Sequence, residues 1–281
     1  MSIFDPTPCR LGEGPLWLPD WQMLIWFDIL GKQMLARRDG KTQVWQFDRH
    51  HSAAGRAQPD NLILASEDAL WRFNLVTETR IQLCPLEADN PVTRSNDGRA
   101  DPWGGFWIGT MGHNAERGAG AIYRYHKGEL RQLVSDISIS NAICFAPDRS
   151  CAYYTDTPTR RIMRVALDAD TGWPTGDATI FADLRPAELN PDGAVTDATG
   201  NLWVACWGAA CVICLSPQGT EIKRLPLPAA QPTCPAFGGP DLTDLMVTSA
   251  HHGLDTPDAQ QGATFRLPDI AQGLAEPMVL L

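Results

Sequence analysis

Four short segments of this chain carry side chains suited to binding a cation or an anionic oxygen. They are Gly12–Pro15, Arg94–Gly98, Ser140–Ala142 and Pro191–Gly193. Glutamate, asparagine and aspartate offer only oxygen ligands, which suit a divalent cation such as Ca²⁺, Mg²⁺ or Mn²⁺. Asn-Asp-Gly and Pro-Asp-Gly are also ordinary turn sequences, so each segment alone predicts a turn. Their joint occurrence on a repeating β pattern favours a shared metal site.

Residues so far apart in sequence need a fold that brings equivalent loops to a common axis. Six apolar, strand-like segments recur with a period of about 45 residues, which is typical of four short strands per repeat. The segments are Leu24–Phe27, Leu62–Ala65, Gly105–Ile108, Ala152–Thr155, Asn201–Val204 and Asp244–Val247. The 22 prolines argue against long helices, and only Ile270–Leu274 has a weak helical period. The pattern predicts an all-β, six-bladed β-propeller, a single domain over residues 1–281, with a metal site in its central channel.

The segments and their order resemble the SMP-30/gluconolactonase/LRE-like family, the sugar-lactone lactonases. The resemblance runs from Leu11–Trp17 to Ala236–Leu242, nearly the whole chain. Between these ends it includes Ser95–Gly98 with Gly109–Met111, Ser140–Ala142, Tyr154–Asp156 and Leu202–Ala205. It implies a propeller hydrolase that opens small sugar lactones (aldono-1,4- or 1,5-lactones) to aldonic acids.

The resemblance also implies that Glu13, Asn141 and Asp192 bind one divalent metal ion. Three protein ligands leave coordination positions for water and substrate. Ca, Zn, Mn, Mg and Fe(II) all remain candidates, because two carboxylates and an amide do not separate them. The ion would polarise the lactone carbonyl for attack by water. Asp192 is predicted to be both ligand and general base, with water activated by the ion alone as the alternative, because a cation lowers the pKa of a bound carboxylate.

Substrate contacts are implied for Arg94 and Asn96, which would face the same side of a strand. Arginine offers a planar fork for lactone oxygens, and asparagine both donates to and accepts from hydroxyls. Asp97 and Gly98 are expected to shape the turn, with a place for Asp97 near the metal through a water molecule as the alternative. Many family members have an acid shortly after the Gly-Thr-Met segment. Here Asn114 stands at that position, with His113 beside it. Both are predicted substrate contacts, and the difference leaves the identity of the sugar open.

Composition excludes several other classes. A formal charge of −10 argues against binding to nucleic acid. No signal peptide and no apolar run of membrane-spanning length is visible, so a cytoplasmic location without membrane contact is expected. Cys206, Cys211 and Cys214, with Cys234, have the spacing of a plant-type iron–sulfur site. Because they lie in strand-like sequences, they are predicted to be core residues instead.

The histidines and serines show no familiar catalytic spacing. His50-His51 and His251-His252 are adjacent pairs, and one member of each could line the channel. No pair has the i, i+4 helical spacing of a zinc site, and no G-x-S-x-G elbow occurs. Two other functions stay open: a propeller hydrolase of aryl esters or phosphoesters, and a non-enzymic propeller with a structural ion. Arg94 and Asn96 favour an enzyme, because an ion-only role needs no substrate contacts.

Overall fold

The chain folds almost entirely into β-strands. The computed structural model describes all 281 residues and contains 24 strands, with three single-turn 3₁₀ helices at Pro19–Trp21, Thr157–Thr159 and Arg185–Ala187. The strands form six antiparallel sheets of four strands each. The predicted six-bladed β-propeller is therefore confirmed. None of its helices has the length and apolarity needed to cross a membrane.

Five blades are built from four consecutive strands, ordered from the innermost strand outward. Blade one is β2 (Gly12–Leu18), β3 (Met23–Asp28), β4 (Gln33–Arg38) and β5 (Lys41–Gln46), and blade two is β6 (His51–Arg56), β7 (Asn61–Ser66), β8 (Ala69–Asn74) and β9 (Arg80–Pro85). Blade three is β10 (Thr93–Ala100), β11 (Phe106–Gly112), β12 (Gly120–His126) and β13 (Glu129–Ile137), and blade four is β14 (Ser140–Phe145), β15 (Cys151–Asp156), β16 (Arg161–Leu167) and β17 (Pro174–Asp183). Blade five is β18 (Asn190–Thr196), β19 (Leu202–Trp207), β20 (Cys211–Leu215) and β21 (Glu221–Pro226).

The sixth blade closes the ring by joining the two ends of the chain. It consists of β22 (Pro232–Gly238), β23 (Asp244–Ser249), β24 (Thr264–Leu267) and, as its outermost strand, the N-terminal β1 (Ser2–Asp5). Ser2 pairs with Arg266 and Ile3 with Phe265. This pairing ties the first blade to the last and holds the propeller shut.

The six apolar segments found in the sequence are the second strands of the six blades. Every residue of β3 is buried, as is every residue of β23. Apolar side chains from neighbouring blades form six cores, one at each blade interface. Each fully buried Leu, Ile or Phe in these cores stabilises the fold by about 1.5–3 kcal/mol relative to an exposed one.

The weak helical period near Ile270–Leu274 does not produce a helix. This segment has no regular secondary structure. The Ile270 and Gly273 N–H groups donate to the carbonyls of Thr243 and Leu242, at 2.9 and 2.8 Å. Bonds to another segment replace the local bonds that a helix needs, so tertiary context overrides the pattern.

Each innermost strand packs against the innermost strands of the adjacent blades, so the six strands line the channel. All six also change register with the second strand of their blade. In blades one, three, four and five the shift begins at Glu13, Ser95, Asn141 and Pro191. Such bulges re-aim side chains. In these four blades the bulges fall within the segments that contain the predicted site residues.

Candidate active site

Five of the predicted site residues come together at the channel. Glu13, Arg94, Asn96, Asn141 and Asp192 lie on innermost strands β2, β10, β14 and β18, and none is more than 5% exposed. Polar side chains are rarely buried so completely without partners. Four separate blades thus contribute to one buried polar cluster.

Hydrogen bonds link blade three to blade four inside this cluster. Arg94 Nη1 donates to Asn96 Oδ1 at 2.8 Å, as their shared strand face predicts. Asn96 Nδ2 donates to Asn141 Oδ1 at 3.1 Å and to the Ser140 carbonyl at 2.9 Å. The two predicted substrate contacts and one predicted ligand therefore form a single chain of bonds.

Thr157, which sequence reasoning missed, connects two of the predicted ligand segments. Asn141 Nδ2 donates to Thr157 Oγ1 at 2.9 Å, and Thr157 Oγ1 donates to the Pro191 carbonyl at 2.8 Å. Pro191 directly precedes Asp192. Because the Asn141 nitrogen is engaged by Thr157, its Oδ1 atom faces Asn96 and the cluster. No sequence pattern marks Thr157, which follows β15 and not an innermost strand.

The two carboxylates of the predicted ligand set have no directly paired cation, although the charge of the nearby Arg94 guanidinium partly offsets theirs. Neither Glu13 nor Asp192 forms an ion pair, and no other side chain donates a hydrogen bond to either. Burial, together with the charge of Asp97, raises the pKa of Glu13 to about 8. Burial and the charges of Glu13 and Asp97 raise the pKa of Asp192 well above its usual range. Two adjacent buried carboxylates with free oxygen atoms fit a divalent cation, which would favour their charged forms.

Arg94 holds an unused hydrogen-bond donor in the cluster. Burial lowers the pKa of its guanidinium to about 10, so it stays protonated at neutral pH. Its Nε–H group is buried and has no acceptor in the protein. An unsatisfied buried donor costs about 1–3 kcal/mol, which an oxygen atom of a bound ligand would offset.

A second layer of charged residues supports the cluster. Asp97, expected to shape a turn, is buried, and its Oδ2 atom accepts from the Ile143 N–H at 2.7 Å. Burial raises the pKa of Asp97 to about 6. Arg99 donates to the carbonyls of Ile143 and Ala194, at 3.2 and 3.0 Å, and pairs with Glu276. These bonds fix the strand that carries Asn141.

His113 and Asn114 lie outside the buried cluster. Both are exposed, in the turn that follows β11. The Asn114 side chain donates to Glu116 Oε1 at 2.9 Å, and its backbone N–H donates to Oε2 at 3.1 Å. Glu116 thus places a carboxylate beside Asn114, although it lies two residues later in the chain.

The histidine pair of blade two divides between a core and the surface. His51 is fully buried and stacks on Phe47 with ring centroids 4.1 Å apart. Burial lowers the pKa of His51 to about 4. His50 turns instead toward Glu67 and His113. The fold thus brings together two histidines from different blades, a neighbourhood that local sequence spacing does not reveal.

The cysteines are core residues, as their strand context predicted. Cys206 and Cys211 are cross-strand partners in the core between blades four and five. Cys214 belongs to the core between blades five and six. Because these two cores lie on opposite faces of blade five, the three thiols do not converge on a cluster.

Comparisons with known proteins place the chain in a family. A family model described as the SMP-30/Gluconolactonase/LRE-like region matches residues 11–251. The chain belongs to this family. A 6-deoxy-6-sulfogluconolactonase of Pseudomonas putida is 33% identical over 96% of this chain and 95% of its own length. The pentonolactonase XacC of Haloferax volcanii is 34% identical over 96% and 94%.

A solved structure has nearly the same backbone as this chain. The crystal structure of a calcium-binding protein, regucalcin, from Agrobacterium tumefaciens str. C58 covers 100% of this chain and 97% of its own. It shares 42% identity and superposes with a TM-score of 0.97. The structural likeness therefore extends over all six blades.

Proposed function

We propose that this protein is a divalent-metal-dependent lactonase that opens sugar lactones to aldonic acids. The observation that carries the proposal is the buried cluster in which two carboxylates without a direct ion pair adjoin the bonded chain of Arg94, Asn96 and Asn141. The carboxylates of Glu13 and Asp192 form an anionic pocket for a metal ion, and the Arg94 guanidinium beside it can bind substrate oxygens. This combination suits hydrolysis of a neutral cyclic ester. The lactonases among the relatives and the calcium-binding regucalcin support the same assignment.

Glu13, Asn141 and Asp192 would hold the ion. When bound, a divalent cation supplies a Lewis acid that polarises the lactone carbonyl and offsets charge on the tetrahedral oxygen. Asn141 presents its oxygen because Asn96 and Thr157 fix its amide. Glu13 and Asp192 contribute the negative charge that holds the ion.

Substrate binding falls to four other residues, and proton transfer from the attacking water falls to Asp192. Arg94 donates its free Nε–H to a lactone oxygen, and Asn96 orients a sugar hydroxyl while supporting Asn141. Asp192 accepts the proton of the attacking water and returns it to the ring oxygen as the ester C–O bond breaks, and burial keeps competing bulk water away from it. His113 and Asn114, in the exposed turn, contact the outer substituents of the sugar.

A lactone panel tests the proposal. EDTA-stripped protein is supplied with Ca²⁺, Mn²⁺, Mg²⁺, Zn²⁺ or Fe²⁺, and acid release from aldono-1,4- and 1,5-lactones is followed with a pH indicator. Aryl-ester and phosphoester substrates form the comparison arms. We expect activity to be lost on stripping, restored by at least one ion, and highest with lactones. Equal lactone hydrolysis with and without metal, or a clear preference for another ester, would contradict the proposal.

A further inference from the structure

A second set of metal-ligating side chains lies outside the channel cluster. His50, Glu67 and His113 offer two imidazole nitrogens and one carboxylate oxygen, and these atoms lie within 4.8 Å of one another. None of them belongs to the predicted ligand set of the channel. We propose that His50, Glu67 and His113, the rim triad, bind a transition-metal ion of the Zn²⁺ class.

The backbone holds all three residues in place at the ends of strands. His50 directly precedes β6, Glu67 follows β7 and His113 follows β11. The Glu67 N–H donates to the His50 carbonyl at 3.1 Å, and the His113 N–H donates to the Val92 carbonyl at 2.8 Å. The imidazole rings of His50 and His113 have centroids 5.4 Å apart. Only side-chain rotations are then needed to close the triad.

Two imidazoles and one carboxylate match the chemistry of open zinc sites. Zinc takes His nitrogen and Glu oxygen at about 2.0–2.2 Å, and catalytic sites commonly use three protein ligands. Tetrahedral ligands at that distance lie about 3.4 Å apart. The observed spread of up to 4.8 Å is thus slightly wider than a closed site. An all-oxygen cluster selects harder cations, so the channel and the rim triad should prefer different ions.

One imidazole of the rim triad is free to bind an ion at an exposed position. His50 Nδ1 bonds to Glu67, whereas the His113 side chain has no hydrogen-bond partner in the protein. The carboxylate of the half-buried Glu67 would attract an incoming cation, and its negative charge would counter the repulsion of that cation by nearby Arg94.

Metal titration of the full-length chain under calcium saturation tests the rim triad. Ca²⁺ in excess occupies oxygen sites, and Co²⁺ is then titrated while its visible absorption is recorded, followed by displacement with Zn²⁺. We expect the protein to bind one equivalent of Co²⁺, with the visible absorption that nitrogen ligands give. One equivalent of Zn²⁺ should then displace the bound Co²⁺. His50→Ala/His113→Ala should abolish this binding, and Glu67→Gln should weaken it by about tenfold or more.

Two control variants separate the rim triad from other histidines and from the channel. His252→Ala removes another exposed histidine and should retain the zinc equivalent. Glu13→Gln alters the channel cluster and should also retain it, whether or not the channel metal supports catalysis. Unchanged zinc binding in the double variant, loss of zinc in Glu13→Gln, or no zinc binding by the wild-type protein would overturn the assignment. His113→Ala alone, at an exposed position, serves as the variant least able to perturb folding.

Discussion

The Asn96 amide donates to Asn141 Oδ1 at 3.1 Å, so a predicted substrate contact bonds directly to a predicted metal ligand. The same Asn141 side chain is held from its nitrogen end by Thr157. Hydrogen bonds at both ends of the amide therefore fix its orientation, and outer-shell partners orient the ligands of many metal sites in this way. Ligand and substrate residues in this cluster are coupled, and variants should reveal the coupling.

Replacing Thr157 with valine should weaken metal binding without removing any ligand. Valine keeps the shape but loses the acceptor for Asn141 Nδ2 and the donor to the Pro191 carbonyl. Loss of such a positioning group typically costs 10–100-fold in metal affinity, and we expect a loss of roughly tenfold. Calorimetric titration of EDTA-stripped protein with Ca²⁺ or Mn²⁺ measures it. Thr157→Ser, which retains the hydroxyl, is the matched control and should bind metal nearly as the wild type does.

Arg94→Ala and Asn96→Ala should separate substrate binding from metal binding. Arg94 donates no hydrogen bond to a predicted ligand, so its loss should lower turnover while the metal dissociation constant stays nearly unchanged. Asn96 bonds Asn141, so Asn96→Ala should raise both KM and the metal dissociation constant. Metal titrations and lactone kinetics on the same preparations check both. Loss of metal by Arg94→Ala as severe as that of Glu13→Ala would show that these roles are wrongly divided.

The sequence predicted the inner half of each blade better than the outer half. Second strands such as β3 are continuous apolar runs, and they are recognisable because both of their faces are buried. Outer strands such as β21 are mostly exposed and carry no comparable signal. β1 pairs with β24 across almost the whole chain, and local periodicity contains no information on such a pairing.

The residues of the site likewise divide into those that the sequence predicted and those that it did not. Glu13, Asn141 and Asp192 were predicted as ligands because each lies in a short motif matching the family, and the structure brings all three to the buried cluster. Thr157 and the rim triad were missed because their partners are set by three-dimensional neighbours in adjacent blades. Asp97 was assigned to a turn, although its carboxylate is buried and bonds to the strand of Asn141. Sequence spacing alone does not distinguish a turn aspartate from one that crosses a blade interface.

Metal-free protein should lose stability as pH rises from about 6.5 to 8. The folded-state pKa of Glu13 is raised to about 8 from an ordinary 4.5, and that of Asp192 is raised as well. The folded state therefore binds more protons than the unfolded state in this window, and the free energy of unfolding falls with pH. Below pH 6.5, His51, with its pKa lowered to about 4, opposes this trend.

Thermal unfolding of EDTA-stripped protein at several pH values measures the slope. Glu13→Gln removes one of the titrating groups and should flatten it. Saturating metal should also remove the fall, because a bound cation keeps the carboxylates ionised in the folded state. Metal-free stability that rises steadily from pH 6.5 to 8 would contradict the raised pKa values of the two buried carboxylates.

Asp192→Asn should impair catalysis even when metal binding is restored. The substitution keeps one ligand oxygen and the side-chain shape, but it removes a negative charge and the proposed proton acceptor. Removal of a general base typically costs 10²–10⁴-fold, so we expect turnover at saturating metal to fall by about 100-fold or more. Asn141→Ala, which removes a ligand but no base, is the comparison and should recover further as metal concentration increases. Lactone hydrolysis measured across a metal titration separates the two effects, since excess metal corrects weak binding and leaves a missing base uncorrected. If Asp192→Asn regains near-normal turnover at high metal, Asp192 is a ligand only, and another group accepts the proton of the attacking water.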